Sequence, residues 1–506
     1  MTKRFTLYFF NGYYNIYNTH LFDLVLLQQT NIVTFVMLHF FNIFTLVILQ
    51  GVRMKNFTRE LSENLIKWKN NNLRKPLILR GARQVGKTTL VKQFAESYEY
   101  SIMLNLEKTS DQYYFENYDN VKDIADALFL KHGISPSKIN ETLLFLDEIQ
   151  ESPKAIQFLR YFYEELPQLH VIAAGSLLEF AMQKVKSFPV GRVEYLYLHP
   201  LNFIEYLKAM GQTRAIEQLN QIPIKPFAHN TLLELFNRYA IIGGMPEVVK
   251  TYLQKKSVAD LPRTYESLWG TYKDDVEKYT TNKTERNIIK HIMEISYLYL
   301  DQRVKFQNFG NSNYRSREVG EAMRNLERAK IIRLIYPTTD VEVPIKPDLK
   351  KSPRLQFLDT GIINYITGTQ ADMIPLKDLS SLYKGCLVPH LITQEIISLN
   401  ITSDKNPNFW VREKTQSSAE VDLVFPYKDK VIPIEIKSGS VGTLKSLHQF
   451  IDKSNHPYAV RIYAGEFNVQ TTKTREGTPF LLMNLPYYLG TKIYQYIEYF
   501  VSKYQL

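Results

Sequence analysis

The sequence predicts an α/β protein: a parallel sheet with helices between its strands, then a helical region, then a second α/β region. Three observations predict it. The short apolar run Pro76 to Arg80 is followed by Gly81-Ala82-Arg83-Gln84-Val85-Gly86-Lys87-Thr88 and then by an amphipathic pattern, which reads as strand, glycine-bounded loop and helix. Further apolar runs at Ser101 to Leu106, Thr142 to Leu146 and His170 to Gly175 alternate with helix-like stretches, as parallel sheets require. Near the C-terminus two more strand-like runs, Ala419 to Phe425 and Val431 to Lys437, flank a turn at Lys428 to Lys430, which reads as a hairpin.

Composition sets the limits. Hydrophobic residues make up 45% and charged residues 22% of 506 residues, so a large core is available and global disorder is excluded. The formal charge of +11 is compatible with DNA, RNA or another polyanion but does not select one. A single cysteine, Cys386, excludes a disulfide framework and a cysteine-based zinc site, and suits a cytoplasmic protein. The ten histidines lack a paired ligand spacing, so no transition-metal site is expected.

Residues 1–53 are rich in Phe, Tyr, Leu, Ile and Asn and poor in charge. Asn31 to Leu49 has membrane-spanning length, interrupted by Asn31, His39 and Asn42. Three readings stay open: a membrane anchor, a disordered tail, or an extension upstream of a translation start at Met54. Membrane association is expected only if the stretch is a real anchor.

The segment 54–210 reads as a P-loop ATPase core. Residues Gly81 to Thr88 fit G-x-x-x-x-G-K-[ST]. Gly81 and Gly86 allow the backbone, from Gly81 through Thr89, to turn its N–H groups toward phosphates, and the next helix points its positive end at them. Lys87 is expected at the β- and γ-phosphates of ATP, and Thr88 on Mg²⁺. Sixty positions after Lys87, the run Thr142 to Leu146 ends in Asp147 and Glu148. There Asp147 can hold Mg²⁺ through water while Glu148 polarises the attacking water. The polar residue closing the next strand, Ser176, is the candidate sensor of the γ-phosphate. Arg192 is the candidate charge-stabilising arginine, in cis or from a neighbouring copy, which would require self-association.

These stretches carry a resemblance. RGARQVGKTTLVKQF, LLFLDEIQ, AAGS and VGRVEYLYLHPLNFIEYL, with the later Gly243-Gly244-Met245-Pro246-Glu247, together resemble a group of bacterial and archaeal AAA+-like ATPases. The likeness runs from about Met54 to about residue 465. It implies an additional-strand P-loop class with a glutamate beside the acid that serves the metal. Position by position it supports Lys87, Thr88, Asp147, Glu148, Ser176 and Arg192 in the roles above.

Residues 211–285 read as a helical lid region, with Gly243, Gly244 and Pro246 breaking one helix and starting another. Residues 286–345 read as winged-helix-like: Arg315 to Lys330 is amphipathic and leads into the alternating strand Ile331 to Tyr336. Arg315, Arg317, Arg324 and Arg328 could face phosphates, but Glu318, Glu321 and Glu327 offset them.

Residues 346–506 read as the second α/β domain. Within the expected hairpin, Asp422 lies on one strand and Glu435 and Lys437 on the next, two apart and on one face. Asp422 and Glu435 could jointly hold Mg²⁺, with Lys437 activating water at a phosphodiester. The D…E-x-K pattern resembles the restriction-endonuclease-like nuclease core. One departure stands out: Pro389 occupies the place of that group's helix-borne glutamate, and Glu395 is the candidate replacement.

The whole reads as an ATP-hydrolysing, Mg²⁺-dependent protein whose nucleotide cycle gates the winged-helix and nuclease-like regions. Two alternatives are an ATP-regulated nuclease and a non-catalytic, nucleotide-switched binding protein.

Overall fold

Buried parallel strands read as unbroken apolar runs because both of their faces are covered, and the first sheet is built this way. In the computed structural model, which describes residues 57–506 apart from 183–184, 186–187, 281, 371–384, 413–418 and 438–443, five strands form it. They are β1 (Leu77–Arg80), β2 (Tyr100–Asn105), β3 (Thr142–Asp147), β4 (His170–Ala174) and β5 (Glu194–Tyr197), all parallel, in the order β2-β3-β4-β1-β5. Strand β4 therefore lies between the P-loop strand and the strand ending in Asp147, where the resemblance requires an additional strand. The readings for residues 1–53 and for a start at Met54 lie outside the described residues. Among the described residues no helix is long and apolar enough to cross a membrane.

Side-chain alternation divides the strands between two cores. Leu77, Leu79, Leu143, Phe145, Ile172 and Ala174 join a cluster that includes the helices Leu61–Lys69 and Lys87–Ala95. Ile78, Leu144, Leu146, Val171 and Ala173 face the opposite side, against the helices Val121–His132 and Pro153–Glu165. Local signals fix the helix starts. Asn120 and Ser152 accept from the backbone N–H three residues on, and Pro153 stands at a first-turn position that has no N–H to lose. Asn202 and Glu205 form a reciprocal capping box at the helix Phe203–Ala209.

The lid region is helical as expected. Helices His229–Ile242 and Pro246–Lys255 meet at Gly243 and Gly244, and Gly243 has φ +72°. Both glycines are required: a Cβ on Gly244 would stand 2.0 Å from the Leu201 carbonyl oxygen, and one on Gly243 2.3 Å from Asp359 Oδ1.

In the next region, helices Lys283–Ile295 and Ser316–Arg328 pack Ile288, Ile289 and Ile292 in the same core as Val319, Met323 and Leu326. Strand β6 (Ile332–Ile335) pairs antiparallel with β8 (Arg354–Phe357), while β7 (Pro337–Thr338) between them joins the C-terminal sheet. The expected border at 345 thus falls inside a chain segment that serves both regions.

That C-terminal sheet has seven strands in the order β13-β14-β12-β11-β10-β9-β7. Besides β7 it contains β9 (Asn408–Val411), β10 (Glu420–Tyr427), β11 (Lys430–Ile436), β12 (Tyr458–Tyr463), β13 (Asn468–Lys473) and β14 (Pro479–Pro486). The expected hairpin is β10–β11, closed by Tyr427 opposite Lys430, with Lys428 at φ +53° in the turn. One hydrophobic core runs from Leu61 through the helices between residues 211 and 345 to Phe500.

Candidate active site

The carboxyl edge of the first sheet gathers the groups predicted for ATP. A Cβ on Gly81 (φ +152°) would stand 2.2 Å from the Leu198 carbonyl oxygen, so the loop lies against the segment leaving β5. Gly86, at φ +97°, is the N-cap of the helix that starts at Lys87. Gln84 also has a positive φ (+61°), and its side chain and that of Thr89 are exposed. The Lys87 ammonium is buried and donates to the Gly81 and Ala82 carbonyls at 3.0 and 2.8 Å. Burial lowers its pKa to about 8, against the opposing charges of Glu148 and Asp147.

Thr88 Oγ1 donates to Asp147 Oδ2 at 2.7 Å. Burial raises the Asp147 pKa. A hydroxyl and a carboxylate already in contact are hard oxygen donors of the kind Mg²⁺ uses, so these residues fit that ion. Glu148 takes a left-handed backbone conformation (φ 51°, ψ 47°), which turns it off the strand, and its Oε2 accepts from Gln150 Nε2 at 2.6 Å. Gln150 also explains Gly175, where a Cβ would stand 2.2 Å from Gln150 Oε1. The Ser176 hydroxyl is buried with no hydrogen-bond partner among the described residues. An open cleft at this edge is lined by Glu107, Gln150, Glu151, Leu177, Phe180 and Lys278.

Two supports of the loop were missed in the sequence. Arg59 sends Nη1 to the Val85 carbonyl (2.8 Å) and Nη2 to the His199 carbonyl (2.6 Å), and its Nε pairs with Glu205 at 3.0 Å. No local pattern marks it, because its partners lie 26 to 146 positions away; only the N-x-x-E capping signature at Asn202 was legible. Arg83 Nη1 donates to both carboxylate oxygens of Asp275, in the helix Pro262–Asp275, at 2.9 Å, and Tyr272 of that helix donates to the Arg83 carbonyl at 2.7 Å. This helix thus holds the loop through Arg83.

Arg192 is not brought to this edge. It precedes β5, whose first residue Glu194 is level with Leu77, and it pairs with Glu164 at 2.9 Å while 44% exposed. The length of β1, about 13 Å for four residues, separates that end of the sheet from the P-loop. Spacing along the chain could not reveal this, because Arg192 enters β5 at its amino end. A role in cis is out of reach.

Glu395 is also elsewhere. It lies in the helix Leu387–Ser398, fully buried, with Oε2 accepting from the Phe203 N–H at 3.0 Å and Oε1 2.7 Å from the Tyr239 hydroxyl. Burial raises its pKa to about 8. It joins the ATPase core and lid to the C-terminal region and does not touch Asp422, Glu435 or Lys437. Beside it Asp359 is buried, accepting from the N–H groups of Gly244, Gly361 and Ile362, with its pKa raised by burial to about 6.

The hairpin does bring Asp422, Glu435 and Lys437 together. Lys437 Nζ donates to Glu435 Oε1 at 2.5 Å, Asp422 Oδ2 accepts from the Ile436 N–H at 2.7 Å, and Glu435 Oε2 is buried without a partner among the described residues. Burial and the Asp422 charge raise the Glu435 pKa to about 8. The other Asp422 oxygen, Oδ1, faces the guanidinium of Arg354 at 3.5 Å. With a backbone N–H on one oxygen and a cation on the other, Asp422 does not fit Mg²⁺. Among the described residues no group of three acids, histidines or cysteines is arranged to hold a metal ion.

Residues 73–207 match the model of an AAA domain, and residues 233–373 and 384–483 match two domains of unknown function. With the loop and strand order above, residues 73–207 are similar to an AAA domain, which supports nucleotide binding. The chain is 24% identical over 420 residues to the uncharacterized protein MJ1637 of Methanocaldococcus jannaschii, covering 77% of this chain and 81% of that one. Among solved structures, it is similar to the Walker-type ATPase PABY2304 of Pyrococcus abyssi, with 15% identity, 62% of this chain and 97% of that one covered, and a TM-score of 0.41. AMPPCP-bound DnaA from Aquifex aeolicus is matched at 14% identity over 54% of this chain and 88% of that one, with a TM-score of 0.25.

Proposed function

We propose that the protein binds ATP with Mg²⁺ and hydrolyses it, and that the nucleotide cycle gates its winged-helix and nuclease-like regions. The observation that carries the reading is the Thr88–Asp147 contact at 2.7 Å beside the buried Lys87. It puts a metal-binding pair and a phosphate-binding cation at one sheet edge. Mg²⁺ bound by Thr88 and Asp147 would supply neutralising charge to the β- and γ-phosphates. Lys87 exchanges the Gly81 and Ala82 carbonyls for phosphate oxygens. Glu148, released from Gln150, orients and polarises the attacking water. The buried Ser176 hydroxyl, without a partner among the described residues, is the group available to sense the γ-phosphate. Any role for Arg192 is one in trans.

Gating is supported by contiguity. Gly81 rests on Leu198, and Leu201 donates its N–H to the Gly244 carbonyl at 2.7 Å. Gly244 in turn donates to Asp359 at 2.6 Å, five residues after Arg354 of β8. The β10–β11 hairpin with Asp422, Glu435 and Lys437 favours a nuclease-like fold for the last domain. Its metal misfit favours a domain that is silent in cleavage as folded.

The test is ATP turnover with and without DNA or RNA, alongside strand cleavage on the same samples. Lys87→Ala is expected to abolish nucleotide binding, and Glu148→Gln to bind ATP and fail to turn it over. Normal hydrolysis by both variants would overturn the assignment. Tight binding with negligible wild-type turnover would favour the non-catalytic switch.

A further inference from the structure

We propose that Lys330 couples the candidate sensor Ser176 to the seven-stranded sheet, as the middle cation in a chain of ion pairs from Arg80 through Glu179 to Asp404. This rests on the ATP-gating reading and gives it a second tie, separate from the Gly244–Asp359 contact.

The chain starts at the nucleotide site. Arg80 is the last residue of β1, and the next residue, Gly81, gives its carbonyl to Lys87 at 3.0 Å. Arg80 Nη1 donates to Glu179 Oε1 at 2.9 Å and its Nη2 to Met182 Sδ at 3.0 Å. It thereby holds the short helix Leu178–Met182, which follows directly on Ser176 and its buried hydroxyl. The Tyr195 ring of β5 supports the guanidinium, with its centroid 4.2 Å from Cζ. Lys330 Nζ lies 3.8 Å from the same Glu179 oxygen and donates to Asp404 Oδ2. Arg333 of β6 pairs with Asp404 Oδ1 at 2.8 Å. Burial would raise the Asp404 pKa, but Arg333 and Lys330 outweigh it and hold it below the ordinary value. Asp404 stands four residues before β9, which lies between β7 and β10 in the seven-stranded sheet.

The distances mark one link as the movable one. Arg80–Glu179 and Lys330–Asp404 are hydrogen bonds, whereas Lys330 and Glu179 at 3.8 Å stand just beyond that range. A shift of about 1 Å in the helix Leu178–Met182 would make or lose this bond. Such a shift follows when Ser176, three residues before Glu179, is drawn to a phosphate. All five side chains are mostly buried, so solvent and salt screen the change weakly. Removing Lys330 strands no carboxylate, because Arg80 keeps Glu179 and Arg333 keeps Asp404. Its loss breaks the link and leaves the pair at each end.

The experiment is amide hydrogen exchange of the intact chain with Mg²⁺ and either ADP or the non-hydrolysable AMPPCP. In wild type both nucleotides are expected to slow exchange over residues 81–89. AMPPCP, and not ADP, is expected to change it by about five-fold or more over 175–182 and 400–411. Lys330→Met, which keeps an unbranched side chain and removes the charge, is expected to retain the first two effects and lose the one over 400–411. A Lys330→Met chain that retains it overturns the link, as does a wild type unchanged over 400–411. A wild type with no slowing over 81–89 overturns the nucleotide reading, and the link with it. Should Lys330→Met not fold by circular dichroism, Asp404→Asn, which removes the charge at the far end of the link, is read in the same way.

Discussion

Glu395→Gln should make the protein more stable near neutral pH, by an amount that grows with pH. The Glu395 carboxyl is fully buried at the meeting point of core, lid and C-terminal region, and burial raises its pKa from 4.5 to about 8. A carboxyl raised in the folded state binds its proton more tightly there than in the unfolded chain. Its contribution is complete below pH 4.5 and is lost as pH rises toward 8. At about 1.4 kcal/mol per unit, the loss is about 3 kcal/mol by pH 7 and about 5 kcal/mol at completion. The hydrogen bonds agree with a protonated group. Tyr239 has one hydroxyl proton and lies 2.9 Å from the Leu201 carbonyl and 2.7 Å from Glu395 Oε1. With Glu395 protonated, the carboxyl donates to Tyr239 and Tyr239 donates to Leu201. A glutamine reproduces this pattern: its carbonyl accepts from Phe203 and its amide donates to Tyr239. The assay is the thermal midpoint of both proteins between pH 5 and 8.5. The curves should lie close together at pH 5 and separate by several degrees at pH 8. Parallel curves across the range, or a glutamine variant weaker at every pH, would refute the reasoning.

Three further outcomes follow from the same geometry. Gly244→Ala should cost more than about 3 kcal/mol, because its Cβ meets backbone at 2.0 Å and cannot be relieved by a rotamer change; soluble yield and melting temperature measure it. Arg59→Ala strands the Glu205 carboxylate, 6% exposed, and should cost about 3–5 kcal/mol; it should also raise the ATP KM about ten-fold, and Arg59→Lys should not restore it, because a compact ammonium cannot span three partners set around a planar guanidinium. Arg192→Ala should leave turnover of dilute protein within about two-fold, since its pair with Glu164 is an exposed one worth at most about 1 kcal/mol. A deficit appearing only at high protein concentration would instead locate Arg192 in a neighbouring copy's site.

Local chemistry was legible in the sequence, and distant pairing was not. The P-loop, the acid-tipped strand and the Gly243-Gly244 corner each state their geometry within a dozen residues, since glycine, proline and apolar periodicity act locally. The β10–β11 hairpin was equally readable, because a period of two fixes which residues share a face. What escaped depends on residues far apart in sequence. Arg59 lies 146 positions before Glu205, and Arg354 lies 68 positions before Asp422. Arg192 shows the converse error: its place in the motif order suggested the γ-phosphate, but in a parallel sheet the amino end of a strand is the far side of the site. Sheet membership was hidden for a related reason, since β7 and β8 are separated by only a loop yet belong to different sheets.

The segment from Arg354 to Gly361 makes these parts one mechanical unit. Its first residue is held by the acids of the C-terminal sheet, and Asp359 caps the helix Thr360–Ile366 while binding the lid corner. A Cβ on Gly361 would stand 2.2 Å from the Ile242 carbonyl, so this stretch has no slack against the lid. Packed cores respond to displacement by switching between arrangements and not by stretching. The lid is tied to the P-loop through Arg83 and Asp275, and a triphosphate competing for Arg83 would weaken that tie. Under the proposed gating, nucleotide binding would bias the helices that meet at Gly244, and through the Gly244–Asp359 contact the end of β8. The energy required is modest: exchange between two states of comparable stability needs a differential affinity of a few kcal/mol, within the reach of one charge-assisted contact made or broken at the phosphates.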